Sequence, residues 1–336
     1  CAQISIDVGG EVFQNKEGFS QHLSLYEAEE VVEGDGVRVR CFVASVCDVL
    51  VMEIDDQRTE PQALRVDLEM WRDPVVVTGN HTAQYAFQSL PETAMIIQKF
   101  TEAEYFCGSV VAVCVAGAEE VNVTSDRCQS IHIPAESGKR LILVSSAASW
   151  DPDTDLVAAV RGLLDGCAGQ TSADLRAAHV PWWADFWSRT FVHLRSDDGV
   201  ADFMACLRTL QLYYMASSSR GPLPAKWNGS IFLTEGDRTA WGSQFWVWTT
   251  QVSYYPLHAA DAVELTDPFF NMYVNQLPDA VMAGQQRTGS CGAYILESGH
   301  YEGPITLPED VAAEYQDVWL GRKPNTALSP LAASYG

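Results

Sequence analysis

Arg140-Leu141-Ile142-Leu143-Val144, followed closely by Asp151-Pro152-Asp153-Thr154-Asp155-Leu156-Val157, marks the point where the chain changes character. Upstream, apolar residues alternate or run in short bursts between turn formers, which is the pattern of half-buried strands. Val37-Arg38-Val39-Arg40-Cys41-Phe42-Val43 has period two, and Val49-Leu50-Val51-Met52-Glu53-Ile54 follows after a short break. Leu64–Leu68, Ala94–Gln98 and Ser109–Val113 repeat the theme, with Gly, Asn, Asp and Pro between them. Many short strands with hardly a helical period among them predict an antiparallel sandwich.

Downstream the spacing becomes helical. Leu156, Val157, Val160, Leu163 and Leu164 share one face, and Gly166 and Gly169 end that element. A second helix is expected from a Ser172 cap through Leu175, Trp182, Trp183 and Phe186, kinked at Pro181. A third, from about Val200 to Ser217, is expected to bury Phe203, Cys206, Leu207, Leu210 and Tyr214 as one stripe. Residues 218–238 read as a loop stiffened by Gly221-Pro222-Leu223-Pro224. Further helices are predicted over Trp241 to Val263, Asp267 to Met282 and Glu309 to Trp319, with an irregular excursion after Gly284. Residues 1–150 are therefore expected as a β-sandwich domain, 151–178 as a linker helix region and 179–336 as a helical domain.

Composition narrows the function. Of 336 residues, 47% are hydrophobic and 19% charged, which describes a globular protein. The formal net charge of −23 repels phosphate, so nucleic acid is excluded as a partner, and anionic lipid is disfavoured. No run of about 18 apolar residues predicts a spanning helix, so no membrane insertion is expected. The nine cysteines form no CxxC pair, and their odd number leaves the redox compartment open. Sequons at Asn80, Asn122 and Asn228 favour an extracellular, periplasmic or cell-surface setting. Cys1-Ala2 fits an acylated lipoprotein start, but the strand-like alternation of residues 3–8 leaves no tether, so a chain beginning inside a domain is the expectation.

Trp227-Asn228-Gly229-Ser230, Trp241-Gly242 and Phe245-Trp246-Val247-Trp248 gather indoles and an Asn-Gly turn within one short stretch. An indole is bulky and its N–H needs a partner, so clustering suits a surface that stacks on sugar C–H faces. An aromatic helix junction in an ordinary core is the competing reading. Trp227, Asn228, Trp241, Trp246, Trp248 and Tyr294 are the candidate substrate-binding residues. Because Trp246 and Trp248 are two apart, a helix would point them to different sides. Glu297, among Tyr294, Gly299 and Tyr301, is the candidate general acid, with Glu302 second and Glu235 and Asp237 behind it. Each also fits a solvated loop carboxylate. Asp261 and Glu264 are expected to make local helical pairs, and His179 to pack between domains. HExxH spacing, a GxSxG elbow, a P-loop and a GxGxxG turn are all missing, so neither metal nor cofactor is expected.

The order of these pieces resembles the family 95 glycoside hydrolases and their neighbours in the six-hairpin glycosidase group. The resemblance rests on Gln21–Leu25, Val39–Ser45 and Arg140–Ser146 in the strand region. It continues through Ala178-His179-Val180-Pro181-Trp182-Trp183, Phe186-Trp187-Ser188-Arg189 and Leu212–Arg220. Lys226-Trp227-Asn228-Gly229 and Tyr254-Tyr255-Pro256 complete it, while Gly292–Glu297 is similar to a segment of a related sugar-hydrolase-like branch. The resemblance implies an antiparallel β-supersandwich followed by the first part of an (α/α)6 toroid, acting on an oligosaccharide or polysaccharide, with fucose or galactose suggested. Val247 and Thr249 stand where that family has two active-site asparagines, and its acid and base carboxylates lie beyond this chain. The remainder of a longer chain, or a partner subunit, is expected to complete the toroid.

Two functions follow as expectations. One is a glycoside hydrolase using paired carboxyl groups, about 6.5–9.5 Å apart if inverting. The other is a non-catalytic glycan-binding or structural surface protein that keeps the scaffold.

Overall fold

The computed structural model describes residues 2–15, 17–102, 105–226 and 245–335. These fall into two compact units that meet in the chain at Ser188 and Arg189. In the first, strands β1 (Gln3–Asp7), β2 (Ser20–Ser24), β3 (Glu29–Gly34), β4 (Val37–Val43), β5 (Val49–Asp56) and β6 (Leu64–Glu69) are followed by β7 (Val75–Thr78) and β8 (His81–Leu90). β9 (Thr93–Glu102), β10 (Tyr105–Val115), β11 (Glu120–Val123), β12 (Cys128–Ile133) and β13 (Gly138–Ser149) complete the set. All pairings are antiparallel. The larger sheet has the order β2-β3-β4-β5-β13-β10-β9-β8-β7, and the smaller β1-β6-β12-β11.

The larger sheet is thus two meanders, and β13 is the seam between them. Val144 pairs with Val113 on one side and Leu50 on the other. Period-two alternation gives β13 two apolar faces. Ile142 and Val144 pack toward the smaller sheet with Ile54, Ile96, Val113 and Ile131. Leu141 and Leu143 pack the other way, with Val51, Met95, Val110, Val160 and Leu164. Burying one such side chain stabilises by roughly 1.5–3 kcal/mol. Gln129, fully buried on β12, braces the layers: its amide oxygen accepts from Met95 N–H (3.0 Å) and its NH2 donates to Ser89 Oγ (2.6 Å).

The helical cover begins with α1 (Leu156–Gly166), capped by Asp155, whose carboxylate accepts from Ala158 N–H at 2.9 Å. Next comes α2 (Ser172–Ser188), continuous through Pro181. Charges as well as apolar contacts attach α2 to the sheet. Arg176 donates from Nε to Glu29 Oε2 (2.6 Å) and from its terminal nitrogen to Oε1 (3.1 Å). Glu53 accepts from the Ser172 hydroxyl and from Lys139 Nζ (3.0 and 3.1 Å). Burial works against the charge of Glu53, but the Ser172 and Lys139 hydrogen bonds outweigh it and hold the carboxyl below its ordinary range. Farther along α2, Trp187 Nε1–H donates to Leu25 O at 3.0 Å.

His179, expected between domains, instead packs inside the first unit and is fully buried. Its Nδ1 accepts from Ser45 N–H (3.1 Å), so Nε2 carries the proton and donates to Glu27 O (2.7 Å), while the ring lies 4.8 Å from that of Phe42. Burial pushes its pKa down, against the pull of the Glu27 and Ala28 carbonyls and the Glu29 charge.

The second unit is helical: α3 (Val200–Ser218), α4 (Val247–Ala259), α5 (Asp267–Asn275), α6 (Leu277–Thr288), α7 (Glu309–Trp319) and the single turn α8 (Pro330–Ala333), with a two-strand bridge of β14 (Phe245–Trp246) and β15 (Ser298–Gly299). The stripe expected on α3 is overturned. Phe203, Leu207 and Leu210 are 61, 43 and 41% exposed and Cys206 is exposed, whereas Leu212, Met215 and Ala216 are buried. Only the C-terminal half of α3 meets α4, where Gln211 reaches Ser253 O. The single helix expected over Asp267 to Met282 breaks at Gln276, because Pro278 has no N–H to continue the ladder and instead starts α6. No helix among the described residues is long and apolar enough to cross a membrane.

Protonating His179 would set a second N–H against the Ser45 donor. An unfolded imidazole gains its proton near pH 6.5, while the folded one resists to lower pH. The unfolded state therefore binds more protons, and stability present above pH 6.5 is lost as pH falls. Urea unfolding should show this loss as the pH falls below about 6.5. His179→Phe should flatten that window and cost about 3 kcal/mol at pH 8, through the two hydrogen bonds left unmade.

Candidate functional site

Trp227, Asn228 and Trp241, with Glu235 and Asp237, lie outside the described residues. The frame that flanks this stretch is described. The chain leaves α3 at Ser219, whose hydroxyl donates to Leu265 O (2.9 Å) and accepts from Tyr254 O–H (2.8 Å). The Tyr254 oxygen in turn accepts from Ala225 N–H (2.8 Å), and Tyr214 O–H donates to Lys226 O (2.7 Å). Burial pushes the Tyr254 phenol up, partly offset by the bonds to Ser219 and Ala225. The Lys226 ammonium lies 5.3 Å from the centre of the Phe245 ring, so the residues on either side of 227–244 are held together. Burial pulls that lysine below its ordinary pKa.

Phe245 and Trp246 pair with Gly299 and Ser298, so Trp246 is extended and α4 begins immediately after it. No side chain of residue 246 caps the helix. Glu297 supplies the missing acceptors. Its carbonyl oxygen takes the Val247 N–H (2.8 Å), and its carboxylate takes the indole N–H of Trp248 (2.8 Å). A carboxylate beside the first turn of a helix also suits the helix dipole. Glu297 is exposed and Trp248 keeps 56% of its surface exposed. The structure thus joins two of the expected site residues that lie 49 positions apart. Trp246 lies half-buried in the bridge, so it and Trp248 belong to different elements.

The other expected residues have local partners. Glu302 is exposed and accepts from Tyr301 O–H at 3.0 Å. Gln276, at the break between α5 and α6, donates to His300 O (3.1 Å) and Tyr301 O (2.7 Å) and so positions that turn. Tyr294 N–H donates to Ala280 O (2.8 Å), and its ring lies 5.4 Å from the Arg287 guanidinium. The loop approaches α6 at Gly284, where a Cβ would stand 2.4 Å from Gly292 O. Asp261 and Glu264 make no helical pair. Asp261 is left-handed (φ 52°) beyond the end of α4, and Glu264, in a 3-10 turn, pairs with Arg189 at 2.6 Å.

The gap between Phe245, Tyr273, Gln276, Ile295 and His300 measures only about 10 Å³, room for roughly one water. A cavity of about 930 Å³ lies in the first unit, floored by Leu141, Leu143 and Leu164. It has no aromatic ring in its lining, and its Glu92 and Glu136 are occupied by Gly117 N–H and Arg140. Size alone therefore does not make it a sugar site. Among the described residues, no group of three or more His, Cys, Asp or Glu is placed to hold a metal ion.

Sequence reasoning passed over the Tyr254–Ser219–Ala225 relay and Gln276. Tyr254 stood in a quoted motif, Tyr254-Tyr255-Pro256, but nothing in that triplet says which hydroxyl is buried. The structure answers: Tyr254 is 4% exposed and Tyr255 60%.

No family model matches the sequence, and no curated protein matches it. Solved structures do match. A candidate kojibiose phosphorylase from the human microbiome superposes with a TM-score of 0.60 at 11% identity, over 90% of this chain. The chain spans 41% of that protein's length. The match carries the fold alone: an antiparallel β-sandwich region followed by helices. Looser matches are a GH92 family glycosyl hydrolase (TM-score 0.41, 13% identity, 87% of this chain and 40% of that one) and a family GH92 α-mannosidase from Bacteroides thetaiotaomicron (0.39, 12%, 64% and 30%).

Removing the Tyr254 hydroxyl leaves Ala225 N–H without its acceptor and Ser219 without its donor. Tyr254→Phe should lower stability by about 2 kcal/mol in urea unfolding, whereas Tyr255→Phe should stay within about 0.5 kcal/mol of wild type.

Proposed function

We propose that this chain belongs to a carbohydrate-active enzyme of the glycoside hydrolase type, with Glu297 as an acid/base carboxyl group and Trp248 as the ring that stacks on the sugar. The observation carrying this reading is the fixed pair itself: an exposed indole whose N–H is held by a carboxylate at the start of α4. Sugars are bound by such a combination, apolar ring face beside charged acceptor. A sugar ring stacked on Trp248 would exclude water from the neighbouring Glu297 carboxyl group. Glu302 is the second carboxylate proposed, with Trp227, Asn228, Trp241, Trp246 and Tyr294 as further contacts to substrate. The sandwich-plus-helix fold supports this reading through the company it keeps, and the motifs quoted for family 95 point to an α-L-fucoside or α-galactoside. In that picture the helices are the first part of an (α/α)6 toroid, completed by further chain or a partner subunit. The exposed Phe203 and Leu207 of α3 support it. An extracellular, periplasmic or cell-surface setting follows from the substrate class, with no cofactor required.

A second reading, a glycan-binding protein without catalysis, is favoured by one observation. Trp248 is exposed, and the gap among Phe245, Leu296 and His300 holds only about one water, so the ring would serve as an open platform.

Reducing-sugar release from aryl glycosides and from plant or algal oligosaccharides, with and without inorganic phosphate, separates the two. Glu297→Gln retains an acceptor for the indole but cannot transfer a proton, so turnover should fall about 10²–10⁴-fold. Undiminished turnover in this variant removes Glu297 from the chemistry. No turnover by wild type, together with glycan binding that weakens in Trp248→Ala, establishes the platform instead.

A further inference from the structure

Cys47 and Cys167 are separated by 120 positions, yet their Sγ atoms lie 3.9 Å apart. Cys47 occupies the tight turn between β4 and β5, where its carbonyl oxygen accepts from Val49 N–H (2.9 Å). Cys167 is the C-cap of α1, its N–H bound to Leu164 O (3.0 Å), and only 2% of its surface is exposed. Neither residue lies within a strand or helix, so small backbone shifts that bring the sulfurs together would break no ladder. Both belong to the same apolar cluster, with Phe42, Ala44 and Leu164 around them. Ordinary packing of two small apolar side chains accounts for their burial, but not for two sulfurs meeting where two layers join.

We propose that Cys47 and Cys167 are a disulfide site, closed by exchange with a small-molecule disulfide of the glutathione type. The Cys47 thiolate attacks one sulfur of the oxidised reagent, giving a mixed disulfide on Cys47 and releasing one reduced thiol. Cys167 then loses its proton to solvent and attacks Cys47 Sγ, expelling the second reduced thiol. Two protein thiols become one disulfide, and the electron pair passes to the reagent, which leaves as two thiols. The order of events follows from access. Cys47 is partly exposed, whereas burial and the neighbouring Cys47 sulfur push the Cys167 thiol up to about 11, which suits the resolving role and not the first attack. Cys167 also lines the 930 Å³ cavity, whose rim carries Lys139, Arg140 and Arg161. The closed bridge would tie the β4–β5 turn to the end of α1, independently of any carbohydrate chemistry.

The test is incubation of the full chain with oxidised glutathione at pH 8, followed by protease digestion without reduction and mass spectrometry. Wild type should yield a peptide pair joined through Cys47 and Cys167, and its Tm should rise by about 5 °C, reversed by dithiothreitol. Cys167→Ser should trap glutathione on Cys47, and Cys47→Ser should leave Cys167 unmodified, neither gaining in Tm. Exposed Cys206 and Cys291 serve as internal controls for reagent activity. Wild type that keeps glutathione on Cys47, leaves both thiols free while Cys206 reacts, or joins a different pair overturns the assignment.

Discussion

The structure of the first unit depends on one strand whose middle, Ile142–Ser145, is buried on both faces. β13 is last of the thirteen in sequence and central in space, and its side chains alternate between two apolar layers. Ile142 and Val144 close the core against the smaller sheet, while Leu141 and Leu143 form the floor on which α1 rests. A slip of one residue in its pairing with β5 and β10 would exchange these two sets and move Lys139 away from Glu53. That salt bridge fixes where α2 begins, since the Ser172 hydroxyl shares the same carboxylate. The register of one strand therefore also places a helix.

In the second unit the corresponding role falls to polar groups. α4 starts without a capping side chain of its own, and Glu297 supplies both a backbone and a side-chain acceptor from 49 positions away. Tyr254, on the same helix, holds the end of α3 and the chain before residue 227 through a single buried oxygen. One helix thus fixes the carboxylate at its start and the neighbouring segment at its middle. This arrangement brings an indole and a carboxylate to the surface in fixed relation.

The strands were legible because a half-buried strand writes its alternation directly into the chain, as Val37–Val43 and Arg140–Val144 do. α7, from Glu309 to Trp319, was legible for the same reason at helical period. Periodicity identified an apolar stripe on α3 but could not say what would cover it, and Phe203, Leu207 and Leu210 remain wet while Leu212 and Met215 are dry. The break at Gln276 was signalled by Pro278, which the apolar spacing across Asp267 to Met282 masked. The Trp248–Glu297 pair could be nominated by residue type alone. Their meeting depends on the pairing of Phe245–Trp246 with Ser298–Gly299, two-residue strands too short to leave a pattern. His179 stood in a quoted motif, but its neutral tautomer is dictated by the Ser45 N–H, which belongs to a strand region far away in sequence.

The central position of β13 also has a consequence for synthesis on the ribosome. Each meander is built from neighbours and can form as soon as it emerges, but the seam between them must wait for residues 138–149. Until then β5 and β10 present two open edges rich in valine, suited to pairing with another nascent chain. Between translation of Val115 and of Ser149 both edges are open at once, so slowed elongation there should raise the fraction of chains that aggregate.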